Sequence, residues 1–430
     1  MRHIGLWSRA ELRETEPIRW PGRVRDSRAV AGRAFRAIQT PLRVEDVMRS
    51  ITLSIMLLLA LSSVSAAGDA RTTLGDIPRT YSHYLNAEEA ALCRANAATG
   101  GLSSYFLNPA CVSEVDGIAG HATIRYNIKS RDYLPDGAAA LDSSDDGLLF
   151  SQFVAVRTSG AFTLGFGYSN PSYRNVEITG KILDDEELKD YKGEFNGSLR
   201  FFEGVAAMRI GDSGQGALGV SAGVANLTEE SKESTAGASL RTARVDGLAA
   251  CYAVGFAFDV TKMVTVAVGY RWSSTIDVDG DYYKQSLEGE STTQPVTTAG
   301  VRVRPTETLV MHASYVREGW DRAQSTLAAY PEEEGGLDWD PFGEPIATVA
   351  VGGELLLAGG KASVSAGYSQ ELGADIDSAI VPENSIGLGG SIRFDQYVGR
   401  LSLVRETFAE GGESGQVTNY GIYASVGYEF

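Results

Sequence analysis

From about Asp116 to the terminal Phe430 the chain alternates apolar with small or polar residues at period two, in segments of about ten residues. Alternation at this period places successive side chains on opposite faces of an extended strand and excludes a helical reading. In one segment Val264, Val266, Val268, Tyr270 and Trp272 share a face, with Thr265, Ala267, Gly269 and Arg271 on the other. The same division separates Ala122, Ile124 and Tyr126 from His121, Thr123 and Arg125, and Phe162, Leu164, Phe166 and Tyr168 from Thr163, Gly165 and Gly167. It recurs in Ile386, Leu388, Ile392 and Phe394 against Gly387, Gly389, Ser391 and Arg393. Fourteen such segments begin near Gly117, Gly147, Ala161, Phe195, Ala217, Gly247, Met263, Gln294, Thr308, Ile346, Lys361, Asn384, Tyr397 and Tyr420.

A soluble sandwich would also alternate, so the connections decide between the two. Short turns (Thr158 to Gly160, Asp259 to Lys262, Arg304 to Glu307, Ala358 to Gly360, Asp395 to Gln396) take turns with long polar connections. The long ones are Lys129 to Asp146, Pro171 to Glu194, Thr228 to Asp246, Gly280 to Thr293, Glu318 to Pro345, Leu372 to Glu383 and Ala409 to Asn419. Short turns on one side, long loops on the other and an even strand number predict an all-β fold, a transmembrane antiparallel β-barrel of about 14 strands. Closure is required because backbone groups in hydrocarbon find partners only in helices or an edgeless sheet. Tyr126, Tyr168, Tyr270, Trp272, Tyr315, Tyr368 and Tyr428 are expected at the interfaces, ordinary core packing being the alternative. The final strand, with Ile422, Ala424, Val426, Tyr428 and Phe430 on one face, resembles the terminal signal of bacterial outer-membrane barrels, which the barrel-assembly machinery would read.

The N-terminus divides differently. Residues 1–47 are rich in Arg, lack Lys and show no periodicity. Met48-Arg49 then leads into an apolar run from Ile51 to Leu61 and the small residues Ser62 to Ala67. Residues 48–67 therefore read as a cleaved signal peptide directing export to the bacterial outer membrane, with 1–47 an upstream extension or a mis-called start. A genuine Arg-rich prefix, such as an organellar transit peptide, is the other reading. Residues 68–115 form the periplasmic N-terminus and a lumen plug, and 116–430 the barrel. The formal charge is −17, which excludes a broad basic surface for nucleic acid. Much of the acid lies in runs such as Asp184 to Glu187 and Glu332 to Glu334. These suit either a solvated loop or bridging by divalent ions to lipopolysaccharide, a partner expected alongside outer-membrane lipid.

Ala87 to Gly101 and Tyr105 to Ala110 do not alternate and are rich in small residues, as a filling for a wide barrel must be. Leu92, Arg94, Ala95, Gly100, Gly101, Asn108, Pro109 and Ala110 resemble the N-terminal hatch of the FadL-like long-chain fatty-acid transporter family, with Cys93 where that family has Gly. The resemblance implies a barrel that captures a hydrophobic small-molecule ligand from outside, binds it within, moves the hatch and releases the ligand sideways at a kinked third strand. Asn170-Pro171 marks a candidate lateral gate, since proline sits at an edge, bulge or strand end; the alternative is that Pro171 merely begins a loop.

Arg125, Arg271, Arg302, Arg393 and Arg400 fall on the inward face, as ligand-carboxylate anchors or as partners of carboxylates such as Glu88, Glu89, Glu203 and Glu354. His312 and Ser314 resemble an outer-membrane phospholipase pair, but no Asn-Gly follows, so no enzyme activity is expected. The histidines have no metal-ligand spacing, and no metal or cofactor is expected. Cys93 and Cys111 could staple the plug by a disulfide, with Cys251 an inward free thiol. A rival function is protein docking on a barrel resembling those of the type IX secretion system, using Trp320, Tyr330, Trp339 and Phe342 in the loop from Glu318 to Pro345.

Overall fold

The structure, a computed structural model, describes residues 84–133, 141–144, 147–184, 187–211, 214–235, 238–282, 285–319, 346–372, 381–409 and 416–429. The leader, residues 68–83, both Glu332 to Glu334 and the aromatic docking residues, and Phe430 itself lie outside them.

Fourteen antiparallel strands form the wall. They are β1 (Ile118–Tyr133), β2 (Gly147–Ser159), β3 (Phe162–Asp184), β4 (Glu187–Ile210), β5 (Gly216–Thr235), β6 (Ala238–Thr261) and β7 (Val264–Ser273). After these come β8 (Val296–Val303), β9 (Leu309–Glu318), β10 (Ile346–Leu357), β11 (Ala362–Leu372), β12 (Val381–Phe394), β13 (Tyr397–Ala409) and β14 (Gln416–Glu429). The barrel closes where β14 pairs with β1, from Ala119 opposite Glu429 to Ser130 opposite Thr418. Closure leaves no free edge, as the expected all-β barrel requires.

The apolar alternation points outward. Leu148 is 70% exposed, Ile392 65% and Leu401 60%, and Phe162, Leu164, Phe166, Val268, Leu388 and Val426 are exposed with them. Such a continuous apolar surface is that of a wall bathed in hydrocarbon, whereas water would tolerate only patches of a few hundred Å². Aromatic pairs mark its two margins: Tyr252 and Tyr270 stack on Trp272 near the long-loop side, and Tyr397 meets Tyr428 at a tilt beside the short turns. Among the described residues no helix is long and apolar enough to cross a membrane.

Four connections read from the sequence as loops are instead largely paired strand; in Lys129 to Asp146, the end of β1 from Ser130 to Tyr133 pairs with a short added strand, Leu141–Ser144. Pro171 to Glu194 forms the outer halves of β3 and β4, paired down to Asp184 opposite Glu187, and Thr228 to Asp246 does the same for β5 and β6. Gly280 to Thr293 belongs mostly to an added hairpin of Thr275–Tyr282 and Gln285–Thr292, which docks on β6. The apolar period fades there because charged and polar residues interrupt both faces of the extensions, although Val245, Ile276 and Val278 remain buried. Lys192 pairs with Glu177 and Glu194 at 3.1 and 2.9 Å, Lys232 with Glu230 at 2.8 Å and Arg244 with Asp246 at 2.8 Å. The ladder fixes register there, since exposed ion pairs are screened.

Candidate functional site: a seated plug and an interrupted wall

The plug is a chain of short turns because its residues are small and its capping groups close together. Helix α1 (Ala87–Ala91) starts at Asn86, whose side chain accepts from the Glu89 amide at 2.9 Å, while Glu89 Oε2 accepts from the Leu85 amide at 3.2 Å. The Asn-Pro-Ala stretch repeats the device. Asn108 Oδ1 accepts from the Ala110 amide at 3.0 Å, Pro109 opens a 3-10 turn (Pro109–Glu114), and Asn108 Nδ2 donates to Phe256 O on the wall at 3.1 Å. Asn108 thus caps the turn and ties it to β6.

Nine inward glycines on eight strands form the seat: Gly167, Gly219, Gly255, Gly269, Gly300, Gly352, Gly367, Gly387 and Gly389. A methyl group added at Gly219 would fall on the Pro109–Ala110 backbone, at Gly269 on Leu107 O, and at Gly367 on the backbone of Leu92. Close approach of two backbones is what glycine permits, and here it brings wall and plug together without intervening side chains. Within the plug, the Glu114 carboxylate occupies the space beside Gly100, and Gly101 adopts φ 106.

The inward arginines fasten this plug. Arg271, buried on β7, contacts Glu203 of β4 at 2.5 Å and donates from Nε and Nη2 to Phe106 O at 3.1 and 3.0 Å. Its guanidinium lies 3.8 Å from the Phe106 ring centroid. Arg302 makes a two-pronged contact with Glu114 at 3.0 and 3.1 Å, and Arg400 reaches Glu88 at 3.4 Å. Burial pushes the Glu88 carboxyl above its ordinary range, opposed by the Arg400 guanidinium. Arg393 stands at the exposed short-turn rim with Glu429 at 2.7 Å, and buried Arg125 lies 5.8 Å from the ring of Tyr173. Arg94, in the plug, sits over Tyr84 at 5.0 Å.

His312 and Ser314 also face the plug: His312 Nδ1 is 3.0 Å from Thr99 Oγ1, and Ser314 Oγ accepts from the Ala97 amide at 3.1 Å. Cys93 and Cys111 are free buried thiols, donating to different carbonyls, Ala90 O at 3.8 Å and Ala97 O at 3.7 Å; no bridge joins them. Burial pushes the Cys93 thiol up to about 12. Cys93 also holds φ at 49°, where an L side chain is strained and glycine is not. Cys93→Gly is therefore expected to tighten the plug by about 0.5–1 kcal/mol, strain relief outweighing glycine's extra unfolded freedom. The measurement is the denaturant concentration at which Cys111 becomes open to a maleimide; a lower value than in the parent would refute it.

The wall is interrupted beside the plug. β2 and β3 pair only from Ser159 opposite Phe162 to Gln152 opposite Ser169. Beyond that rung, Asn170 and Pro171 fall in a register shift against β4, and pairing on the other side resumes only at Glu177, opposite Ser144 of the short strand Leu141–Ser144 that precedes β2. Gly147 to Phe150 pair on their other side with β1. Proline, with no amide to donate, stands where the ladder has no use for one. Pro171 does not begin a loop, because β3 continues and re-pairs from Ser172 opposite Leu199.

Sequence reasoning identified the inward arginines but missed the glycine seat. The alternation held a signal for it, since these glycines fall in register with inward positions.

No family model matches the sequence, and no curated protein matches it. Solved structures share the fold. The Pseudomonas putida toluene transporter TodX is similar with a TM-score of 0.56 at 13% identity, over 83% of this chain and 99% of its own. The Ralstonia pickettii toluene transporter TbuX gives 0.58 at 14%, over 79% and 98%. A Pseudomonas aeruginosa FadL homologue gives 0.55 at 14%, over 82% and 99%. The FadL-like architecture expected from the plug residues is the architecture found.

Proposed function

We propose that this protein is a bacterial outer-membrane channel for passive uptake of hydrophobic compounds, which leave through the wall between β2 and β3. The observation that carries the reading is an interrupted ladder beside a sealed plug, in a barrel whose outer face is apolar. Straight passage would break the glycine seat and the contacts of Arg271, Arg302 and Arg400 together. Sideways release breaks none of them and delivers an apolar solute into hydrocarbon, where burial of its surface drives transfer. Such a route needs no energy source or cofactor.

Four of the five inward arginines already face carboxylates, in Glu203, Glu114, Glu429 and Glu88. That pairing favours a neutral ligand over a fatty-acid carboxylate, which would have to displace an existing partner. It accords with the neighbours described as toluene transporters. In liposomes carrying the purified protein, toluene uptake is expected to exceed that of protein-free liposomes and of oleate. Equal toluene uptake with and without protein would remove the transport reading.

A further inference from the structure

The plug touches the wall on both margins of the interruption, at its foot. On β2, Ser151 Oγ donates to Leu85 O at 2.8 Å, and the neighbouring Gln152 Oε1 accepts from Asn86 Nδ2 at 3.1 Å. On β3, the Tyr105 hydroxyl and Ser169 Oγ lie 2.5 Å apart. Gln152 and Ser169 are opposite one another in the last rung before the strands part, and Leu85, Asn86, Tyr105, Ser151, Gln152 and Ser169 are all buried. The Tyr105 ring fills the space beside Gly167, one inward position below Ser169. Tyr105 continues into Phe106, whose ring meets Phe201 of β4 at 5.3 Å and whose carbonyl Arg271 holds. The segment that seals the lumen is therefore also bonded to each lip of the break in the wall.

We infer that Leu85–Asn86 and Tyr105 are positioning residues that clamp the two lips, so that the seating of the plug sets the width of the side opening. As a portal this rests on the transport reading above; as a clamp it does not. The last rung of an interrupted ladder is held from one side only and would otherwise fray upward along β2 and β3, as strand ends do. Fastening Gln152 and Ser169 to one rigid body stops the fraying there. Displacement of the plug would then lengthen the gap, admitting bulkier apolar solutes, so lumen occupancy and wall opening become one event.

The test uses Tyr105→Phe, which removes the hydroxyl and keeps the ring, and Gln152→Ala, which removes one of the two plug contacts of the other lip while sparing the Asn86 cap. Amide hydrogen exchange of the full chain in detergent micelles is expected to accelerate about fivefold in residues 147–153 and 167–173, the loss of roughly one net hydrogen bond. Exchange in β11 to β13 should keep the parent rate. In liposomes the double variant is expected to raise oleate uptake relative to toluene. Unchanged exchange at both lips, or equal acceleration around the barrel, overturns the clamp. If the parent passes neither solute while exchange rises at the lips alone, the transport reading fails and the clamp stands.

Discussion

Replacing Gly219 and Gly269 together by leucine is expected to turn a sealed barrel into one that conducts ions across a planar bilayer. Both positions face plug backbone, at Pro109–Ala110 and at Leu107 O, so the added side chains meet atoms that no rotamer change can move aside. Overpacking costs about 1–3 kcal/mol per site even where side chains can yield. Around both sites the wall is held by ladders on each side, β5 by β4 and β6, and β7 by β6 and β8, whereas the plug is held by its seat and a few polar contacts, so the plug is the part that gives way. Cys93 reports the movement. Burial holds its thiol up at about 12, so the parent should resist a maleimide at neutral pH and the double variant should label. Gly204→Leu is the control: that glycine faces outward, with no atom nearer than 3.8 Å to the added carbon, and its variant should remain closed and unlabelled. A double variant as silent as the parent, with strand content intact, would show that the seat tolerates bulk.

The seat also shows where sequence reading stops. Period two placed Gly167, Gly269, Gly387 and Gly389 on the inward face, because every other residue of a strand must share it. What they face is supplied by a segment between residues 84 and 115, far away in sequence and without a period of its own. Alternation also put Arg271 inside but could not pair it with Glu203, three strands away around the wall. Strand starts at Gly147, Ile346 and Tyr397 were legible because an apolar stripe begins at the membrane margin. The outer halves of β3 to β6 were not, since polar and ion-paired residues break the stripe while the backbone ladder continues. Asn108-Pro109-Ala110 was legible as a plug motif, and its chemistry is local: a cap, a residue suited to the first position of a turn, and a backbone that lies against Gly219.

The second large effect belongs to Arg271 and Glu203. Glu203 is fully buried and Arg271 is 3% exposed, so neither charge is screened by water. Removing one member of such a pair leaves the other charge stranded, at a cost of about 3–5 kcal/mol, while replacing both by apolar residues is far milder. The two single variants are not equivalent. With Arg271→Met, Glu203 still accepts from Ser221 at 2.9 Å, whereas with Glu203→Leu the guanidinium keeps the Phe106 carbonyl and the rings of Phe106 and Phe201 but no anion. Glu203→Leu is therefore expected to lower thermal stability in micelles most, and the Glu203→Leu/Arg271→Met combination to recover about 2–3 kcal/mol of it. Simple additivity of the single changes would show that the pair is not coupled as drawn. Recovery of the barrel should not restore the seal. The combination still lacks both donors to Phe106 O, and a buried carbonyl left without them favours a displaced segment. Cys111, in the same plug, should then label faster than in the parent although the melting temperature has largely returned, separating what stabilises the wall from what seats the plug.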